Sequence, residues 1–249
     1  MRYPLAIMDY GIGGIDLVRR IKRIHPHLPI LYFSDSGYTP YGKVSKKLLQ
    51  DRVGKVIRFL QDKGAQRIVV ACHSASSVVY GRNSDVLGIR ELIIQSALKT
   101  GVKSLGVIGG GRTIRAQFYK KELEKKGLKI KQRIAQELSI LIERGELESD
   151  YTINTLKRII NPLKKQEALL LACTHYPALS GQIQKMYPSL KLIDPIDEVM
   201  DFLMEHSWLE SAGHVSDQFF TSGDPVLMKE AAERAFHYQI NSVEKLTLV

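Results

Sequence analysis

Short apolar runs alternate with amphipathic segments along the whole chain. Six runs of four or five mostly apolar residues have the length and composition of β-strands. They occupy residues 4–8, 29–33, 67–71, 105–108, 168–172 and 190–193. Parallel strands that are covered on both faces have continuous apolar sequences and are separated by helices. The pattern therefore predicts an α/β protein with open, mainly parallel sheets.

The clearest helix is predicted between residues 45 and 64. Ser45 is a typical N-cap residue, and Gly64 is typical of the position just after a helix. Between them, apolar residues recur at helical spacing at Leu49, Val53, Val56 and Leu60. We expect this segment to pack one apolar face against a sheet.

The chain contains an internal repeat. PLAIMDYGIGG (residues 4–14) aligns with SLGVIGGGRTI (104–114) at an offset of 100, and LPI (28–30) aligns with LKI (128–130) at the same offset. VVACHS (69–74) aligns with LLACTH (170–175) at an offset of 101. Three predicted strands thus recur in the same order, which favours two similar halves related by pseudo-symmetry. A length of 249 residues allows either two domains or one large domain.

Composition indicates an ordinary globular protein, with 44% apolar and 25% charged residues. The uninterrupted apolar run before Asp9 has only four residues, Leu5 to Met8, too few for a signal peptide. No run approaches the roughly 18 apolar residues of a membrane span. We therefore expect a cytoplasmic protein whose two cysteines are free thiols.

The net charge of +10 is compatible with nucleic acid, an anionic membrane or a small carboxylate substrate. The densest basic stretch, residues 120–133, also contains Glu122 and Glu124. It predicts a solvated helix end that runs into a strand. No zinc-ligand spacing or RNA-binding aromatic motif accompanies the charge, so the charge alone does not indicate a nucleic-acid partner.

The only two cysteines, Cys72 and Cys173, occupy equivalent positions in the repeat. Each directly follows a predicted strand, as do Asp9 and the glycines at 109–111. In open parallel sheets the loops at the carboxyl ends of the strands carry the chemistry. If the two halves face each other, the thiols lie on opposite walls of one cleft.

Two opposed thiols have the chemistry of a racemase. One acts as a base that removes a proton from carbon, and the other is an acid that returns a proton to the opposite face. A hydrogen α to a carboxylate is weakly acidic, so the site must be dry and well supplied with fixed donors. Asp9 and His175 are candidates for adjusting protonation of the thiols or of a substrate ammonium. The structural alternative is that each cysteine is a small core residue.

The glycines in DYGIGG do not form a dinucleotide-binding fingerprint. Gly11 and Gly13 give G-x-G, but Asp16 stands where the third glycine is required. The simpler interpretation is a tight turn in which glycine adopts a positive φ.

Several motifs resemble those of the cofactor-independent aspartate/glutamate racemase family. In the family's order, over residues 5–225, they are MDYGIGG, YFSDSGYTPYGKVS, VVACHSAS, IGGGRTI, LIERG, LLACTHYP, LIDP and TSGDP. The resemblance implies two α/β domains with the active site in the cleft between them, and catalysis without pyridoxal phosphate or metal. It places residues 1–95 with 210–249 in the first domain and residues 96–209 in the second.

The resemblance also implies roles for individual residues. The catalytic thiols would be Cys72 and Cys173, assisted by Asp9 and His175. Backbone donors to a substrate carboxylate would come from Tyr41 and Gly42. Further substrate contacts would be Thr113, Thr174 and Glu143, the last near the substrate ammonium. Without the resemblance, Glu143 would be interpreted as a solvated helix residue.

The chain departs from the family pattern at five positions: Tyr10, His73, Ser74, Gly110 and Ala116. Tyr10 stands for a serine and moves the hydroxyl outward, and His73 stands for an asparagine. His73 is then either a substrate contact or a third proton carrier beside Cys72. These changes leave both thiols in place and bear on the identity of the substrate.

The resemblance implies a cofactor-independent amino-acid racemase that interconverts L- and D-glutamate for peptidoglycan synthesis in the cytoplasm. The partner is then a small amino-acid substrate, with no membrane or nucleic acid, and a homodimer is compatible with the family. Two alternatives stay open: the substrate is aspartate or another amino acid, or the protein is racemase-like and acts mainly by binding a partner.

Overall fold

A computed structural model describes residues 2–79, 85–210 and 215–248. Within these ranges the strands are β1 (Tyr3–Asp9), β2 (Ile30–Ser34), β3 (Ala65–Val70), β4 (Val86–Gly88), β5 (Ser104–Gly109), β6 (Lys129–Ile134), β7 (Ala168–Ala172), β8 (Lys191–Ile193), β9 (Gln218–Thr221) and β10 (Glu244–Lys245). They form a sheet in the order β10-β9-β2-β1-β3-β4 and a second sheet in the order β6-β5-β7-β8, and all neighbours are parallel. The predicted α/β class is confirmed.

Helices connect the strands and cover the sheets. They are α1 (Ile15–Ile24), α2 (Lys46–Asp62), α3 (His73–Ser76), α4 (Arg90–Lys99), α5 (Gly111–Arg115), α6 (Phe118–Glu124), α7 (Gln136–Glu143), α8 (Asp150–Ile160), α9 (Ser180–Met186), α10 (Ile196–Glu205) and α11 (Pro225–Phe236). Two short 3-10 helices span Asn161–Leu163 and Tyr176–Leu179. None of the helices in the described ranges is both long and apolar enough to cross a bilayer.

The two sheets confirm the internal repeat. The order β2-β1-β3-β4 in one sheet matches β6-β5-β7-β8 in the other. Leu5 pairs with Ile30 in the first sheet, and Leu105 pairs with Ile130 in the second. Equivalent residues at the sequence offset of 100 are therefore equivalent partners in the two ladders.

The predicted strands and the helix after Ser45 are all present. Ser45 caps α2 by accepting a hydrogen bond from the Leu48 N–H at 3.2 Å, and Gly64 follows the helix with φ of 93°. The basic stretch at 120–133 is the exposed end of α6 followed by β6, as expected. Strands β4, β9 and β10 were not predicted, since they are only two to four residues long.

One buried apolar cluster joins the two halves. Ile7 of β1 and Val107 of β5 both belong to it. The alternate residues of β1, such as Met8, face a second cluster that includes Leu49 of α2. The first sheet thus buries both faces, which explains the continuous apolar sequence of its central strands.

The chain crosses between the sheets twice, before β5 and again before β9. Residue 95, the first predicted domain limit, falls within α4, which packs against α6 and α10. The second limit, residue 210, adjoins residues 211–214, which lie outside the described ranges. The exact limits of the two domains stay a prediction.

A buried ion pair fixes the segment that follows β2. The Asp35 carboxylate is fully buried and accepts hydrogen bonds from Arg52 Nε at 2.9 Å and Nη2 at 2.6 Å. Tyr41 and Ser222 donate their hydroxyls to the same carboxylate at 2.7 and 2.8 Å. Four donors therefore satisfy one buried acid, as a charge at this depth requires.

Arg52→Ala is expected to lower the free energy of unfolding by about 3–5 kcal/mol, because it leaves the Asp35 carboxylate buried without a cation. Urea denaturation followed by circular dichroism measures this loss. Arg234→Ala is the control, since its ion pair with Glu230 is exposed and contributes about 0.5 kcal/mol or less. A loss below about 1 kcal/mol for Arg52→Ala would show that the pair does not stabilise this fold.

Candidate active site

A cavity lies where the carboxyl ends of the two sheets meet. Both halves contribute to it, because the loops after β1, β2 and β3 face those after β5, β6 and β7. Its lining residues are Asp9, Tyr10, Pro40, Tyr41, Gly42, Cys72, His73, Ser74, Gly110, Thr113, Gln136, Ser139, Ala172, Cys173, Thr174 and His175. Both cysteines are free thiols, and the two sheets contribute one each.

Cys72 is placed by the register of β1 and β3. The Ala71 N–H donates to the Met8 carbonyl at 2.9 Å, which brings Cys72 beside Asp9 at the next position of the neighbouring strand. Burial raises the pKa of the Cys72 thiol well above its usual value, and the nearby Asp9 carboxylate raises it further. The Cys72 side chain is therefore a protonated thiol, the form that an acid requires.

Cys173 heads a chain of three titratable groups. Its Sγ lies 3.7 Å from His175 Nδ1, and His175 Nε2 lies 2.6 Å from Glu143 Oε1. Burial by itself lowers the pKa of the His175 imidazole, but the hydrogen bonds to Cys173 and Glu143 outweigh it and raise that pKa well above its usual value. His175 is therefore favoured as an imidazolium, whose positive charge lies beside the Cys173 sulfur.

Glu143 connects the two halves of the site. It is the last residue of α7, in the second half, yet its Oε1 also accepts the backbone N–H of Ile12, in the first half, at 2.9 Å. Glu143 is therefore not the solvated helix residue that its position in α7 predicts. It lines a wider pocket that adjoins the cavity, together with His175 and Tyr10.

The glycines after β1 leave room for these groups, and the predicted positive φ is wrong. Neither Gly11 nor Gly13 is among the glycines with positive φ. A Cβ on Gly11 would lie 1.8 Å from Glu143 Oε1, and a Cβ on Gly13 would lie 2.3 Å from Thr174 Oγ1. The two halves therefore approach so closely that only glycine fits at both positions.

Asp9 presents an unsatisfied acceptor at the end of β1. Its Oδ1 accepts the Gly11 N–H at 3.4 Å, whereas Oδ2 is buried and has no hydrogen-bond partner among the described residues. Burial raises the pKa of the Asp9 carboxyl, and the charge on His175 and a hydrogen bond from the Thr174 side chain oppose that effect. A buried acceptor without a partner is costly unless a ligand satisfies it.

Two of the departures from the family pattern have clear contacts. His73 Nδ1 lies 3.2 Å from the Tyr119 hydroxyl, and burial lowers the pKa of His73 to about 3. A neutral imidazole with so low a pKa is a hydrogen-bonding group, which argues against a third proton carrier. The Tyr10 hydroxyl donates to the Tyr38 carbonyl at 3.3 Å, so the ring lies along the wall of the cavity.

Most residues that the sequence predicted for the site line the cavity. Tyr10, Tyr41, Gly42, His73, Ser74, Gly110, Thr113 and Thr174 all do so, beside the two thiols, Asp9 and His175. Glu143 reaches the site through His175, and Ala116 is exposed and does not line the cavity. Sequence reasoning missed Gln136 and Ser139, which lie in α7, the helix that follows β6 at the same sheet edge.

Metal binding has no obvious site here. Among the described residues, no group of three or more His, Cys, Asp and Glu side chains is arranged to hold a metal ion.

Comparison with known proteins assigns the chain to a family. Residues 16–203 match the Asp/Glu/Hydantoin racemase family, and the chain belongs to that family. It is 31% identical over 261 residues to the glutamate racemase of Streptococcus gordonii, covering 98% of each chain. It is 28% identical over 252 residues to the glutamate racemase of a Thermoanaerobacter species, covering 96% of each.

Solved structures agree with this assignment. The glutamate racemase of Thermus thermophilus, in complex with β-chloro-D-alanine, superposes with a TM-score of 0.84 at 26% identity, covering 99% of this chain and 98% of that one. The fold of two parallel sheets is therefore the fold of this family of isomerases.

Glu143→Gln is expected to lower the pKa of His175, because a neutral amide stabilises the imidazolium less than a carboxylate does. An NMR titration of the His175 imidazole measures the change. Glu137→Gln is the matched control on the same helix, since Glu137 pairs with Arg158 at the surface. An unchanged pKa in Glu143→Gln would mean that Glu143 does not hold the proton on His175.

Proposed function

We propose that the protein is a glutamate racemase that interconverts L- and D-glutamate by proton transfer between two thiols. The observation that carries this proposal is that Cys72 and Cys173, from the two halves of the repeat, line one cavity. Each thiol has its own partner for proton control, Asp9 beside Cys72 and His175 beside Cys173. The family membership and the names of the relatives support the same activity.

The reaction needs a base on one wall and an acid on the other. From L-glutamate, the Cys173 thiolate removes the α-hydrogen as a proton and leaves the electron pair on the α-carbon. Cys72 then donates its proton to the opposite face, which gives D-glutamate and a Cys72 thiolate. From D-glutamate the roles reverse. Before the next turnover, Cys173 loses its proton to solvent through His175, and the Cys72 thiolate regains one from solvent through Asp9.

The cavity supplies groups of the right charge for an amino acid. Asp9 Oδ2 is a buried acceptor with no partner in the described part of the chain, and it suits the substrate ammonium. Glu143 adds negative charge nearby through its contact with His175. The backbone N–H groups of Tyr41 and Gly42 suit a carboxylate. Further hydrogen bonds to the substrate come from four side chains, those of His73, Ser74, Thr113 and Thr174.

Glutamate is the substrate that the relatives favour, and its D-form supplies peptidoglycan synthesis in the cytoplasm. A homodimer is compatible with the family resemblance, and we propose that state for this chain. A second candidate is a different amino acid, such as aspartate. The tyrosine ring of Tyr10 and the neutral imidazole of His73 favour it, because they fill part of the wall and alter the donors there.

A panel of L-amino acids in deuterium oxide distinguishes the two candidates. We expect deuterium to replace the α-hydrogen of glutamate, and the D-enantiomer to accumulate, as followed by NMR and chiral chromatography. Exchange confined to aspartate or another amino acid would identify that amino acid as the substrate. No exchange with any amino acid would favour a protein that acts by binding a partner.

Cys72→Ser and Cys173→Ser are each expected to lower kcat/KM at least about 10³-fold, because a serine hydroxyl neither ionises nor reprotonates at neutral pH as a thiol does. Polarimetry of L- and D-glutamate measures the rates, and circular dichroism verifies that the variants are folded. Gly181→Ala is a control outside the site, because an added Cβ there meets no atom within 4 Å. Parent rates in both serine variants would refute the two-thiol mechanism.

A further inference from the structure

The loop that carries Tyr41 and Gly42 is held from both halves of the protein. This loop, residues 40–44, lies between β2 and α2. From its own half, the Tyr41 hydroxyl donates to the buried Asp35 carboxylate at 2.7 Å. This hydrogen bond fixes the Tyr41 side chain. It does not fix the backbone peptide groups that follow Tyr41.

The second half holds the backbone of the same loop through Arg112. Arg112 Nε donates to the Tyr41 carbonyl at 2.8 Å, and Nη2 donates to the Val44 carbonyl. Among the described residues no carboxylate lies within ion-pair distance of Arg112. The charged guanidinium therefore donates its hydrogen bonds to the two loop carbonyls. Its planar arrangement of N–H groups suits two such contacts.

The contact with the Tyr41 carbonyl determines where the Gly42 N–H points. The two groups belong to one peptide unit, which is planar and trans, so they point in opposite directions. Gly42 lines the cavity, whereas Arg112 is not among the described residues that line it. With the carbonyl directed at Arg112, the N–H of Gly42 points away from Arg112.

We infer that Arg112 is a positioning residue, which aims the Gly42 N–H at the substrate carboxylate only when the two halves of the protein are closed. The inference rests on the proposed function, because it assigns Gly42 to carboxylate binding. Arg112 directly precedes Thr113, which lines the cavity from the same helix. Separation of the halves withdraws Arg112 from the loop and releases the donor, so that substrate binding and closure favour each other.

Arg112→Ala tests the inference through a split between KM and kcat. We expect KM for glutamate to rise about tenfold or more, because charged hydrogen bonds that orient the donor are lost, while kcat stays within about threefold. Arg112→Lys should lie between the parent and Arg112→Ala, and ethylguanidinium in solution should lower the KM of Arg112→Ala. Arg133→Ala, which removes an exposed charge from the same half, should keep the parent KM and should not respond to ethylguanidinium.

Hydrogen exchange tests the same loop without substrate. Amide exchange of residues 41–46 should be faster in Arg112→Ala than in the parent and in Arg133→Ala. If the parent does not act on glutamate, the proposed function fails, while faster exchange still supports the hold of Arg112 on the loop. An unchanged KM in an active enzyme overturns the inference, as does exchange at the parent rate in Arg112→Ala.

Discussion

The double hydrogen bond to one oxygen of Glu143 is the contact on which the closed site depends. Glu143 Oε1 accepts the Ile12 N–H from the first half and lies 2.6 Å from His175 Nε2 in the second. The same carboxylate therefore holds the two halves together and keeps the proton on His175. Gly11 lacks a Cβ, which would otherwise lie 1.8 Å from that oxygen. The contact between the two halves and the protonated state of His175 therefore depend on the same carboxylate.

A nearly symmetric backbone carries an asymmetric set of charges. The repeat places Cys72 opposite Cys173, but Asp9 corresponds to Gly109 and Ser74 corresponds to His175. A carboxylate therefore lies beside one thiol and an imidazole beside the other. Burial and the charge of Asp9 raise the pKa of Cys72, and the positive charge of the His175 imidazolium lies beside the Cys173 sulfur. The repeat supplies the two sulfurs, and its divergence supplies an acid and a base.

Much of this architecture follows from the sequence because its signals are local or periodic. The central strands are continuous apolar runs, and the offset between Leu5 and Leu105 survives as equivalent sheet pairing. Only the family resemblance predicts Glu143 at the site, where it contacts His175. It lies 131 residues from Ile12, and nothing in the helical pattern of α7 marks that contact. The reason for glycine at position 11 could not be predicted from the sequence either. Glycine is needed there because the Glu143 side chain, which is distant in sequence, lies close by, and not because of the φ of Gly11.

The origin of the α-hydrogen in the product tests the central claim, that one sulfur removes the α-hydrogen and the other sulfur supplies a different hydrogen to the opposite face. L-Glutamate is converted in deuterium oxide, and both enantiomers are recovered early and analysed by mass spectrometry. Two thiols predict that D-glutamate carries deuterium at the α-carbon from the first turnovers, while the remaining L-glutamate keeps its hydrogen. D-Glutamate that retains the original hydrogen would mean that a single base serves both faces, and would contradict the two-sulfur site.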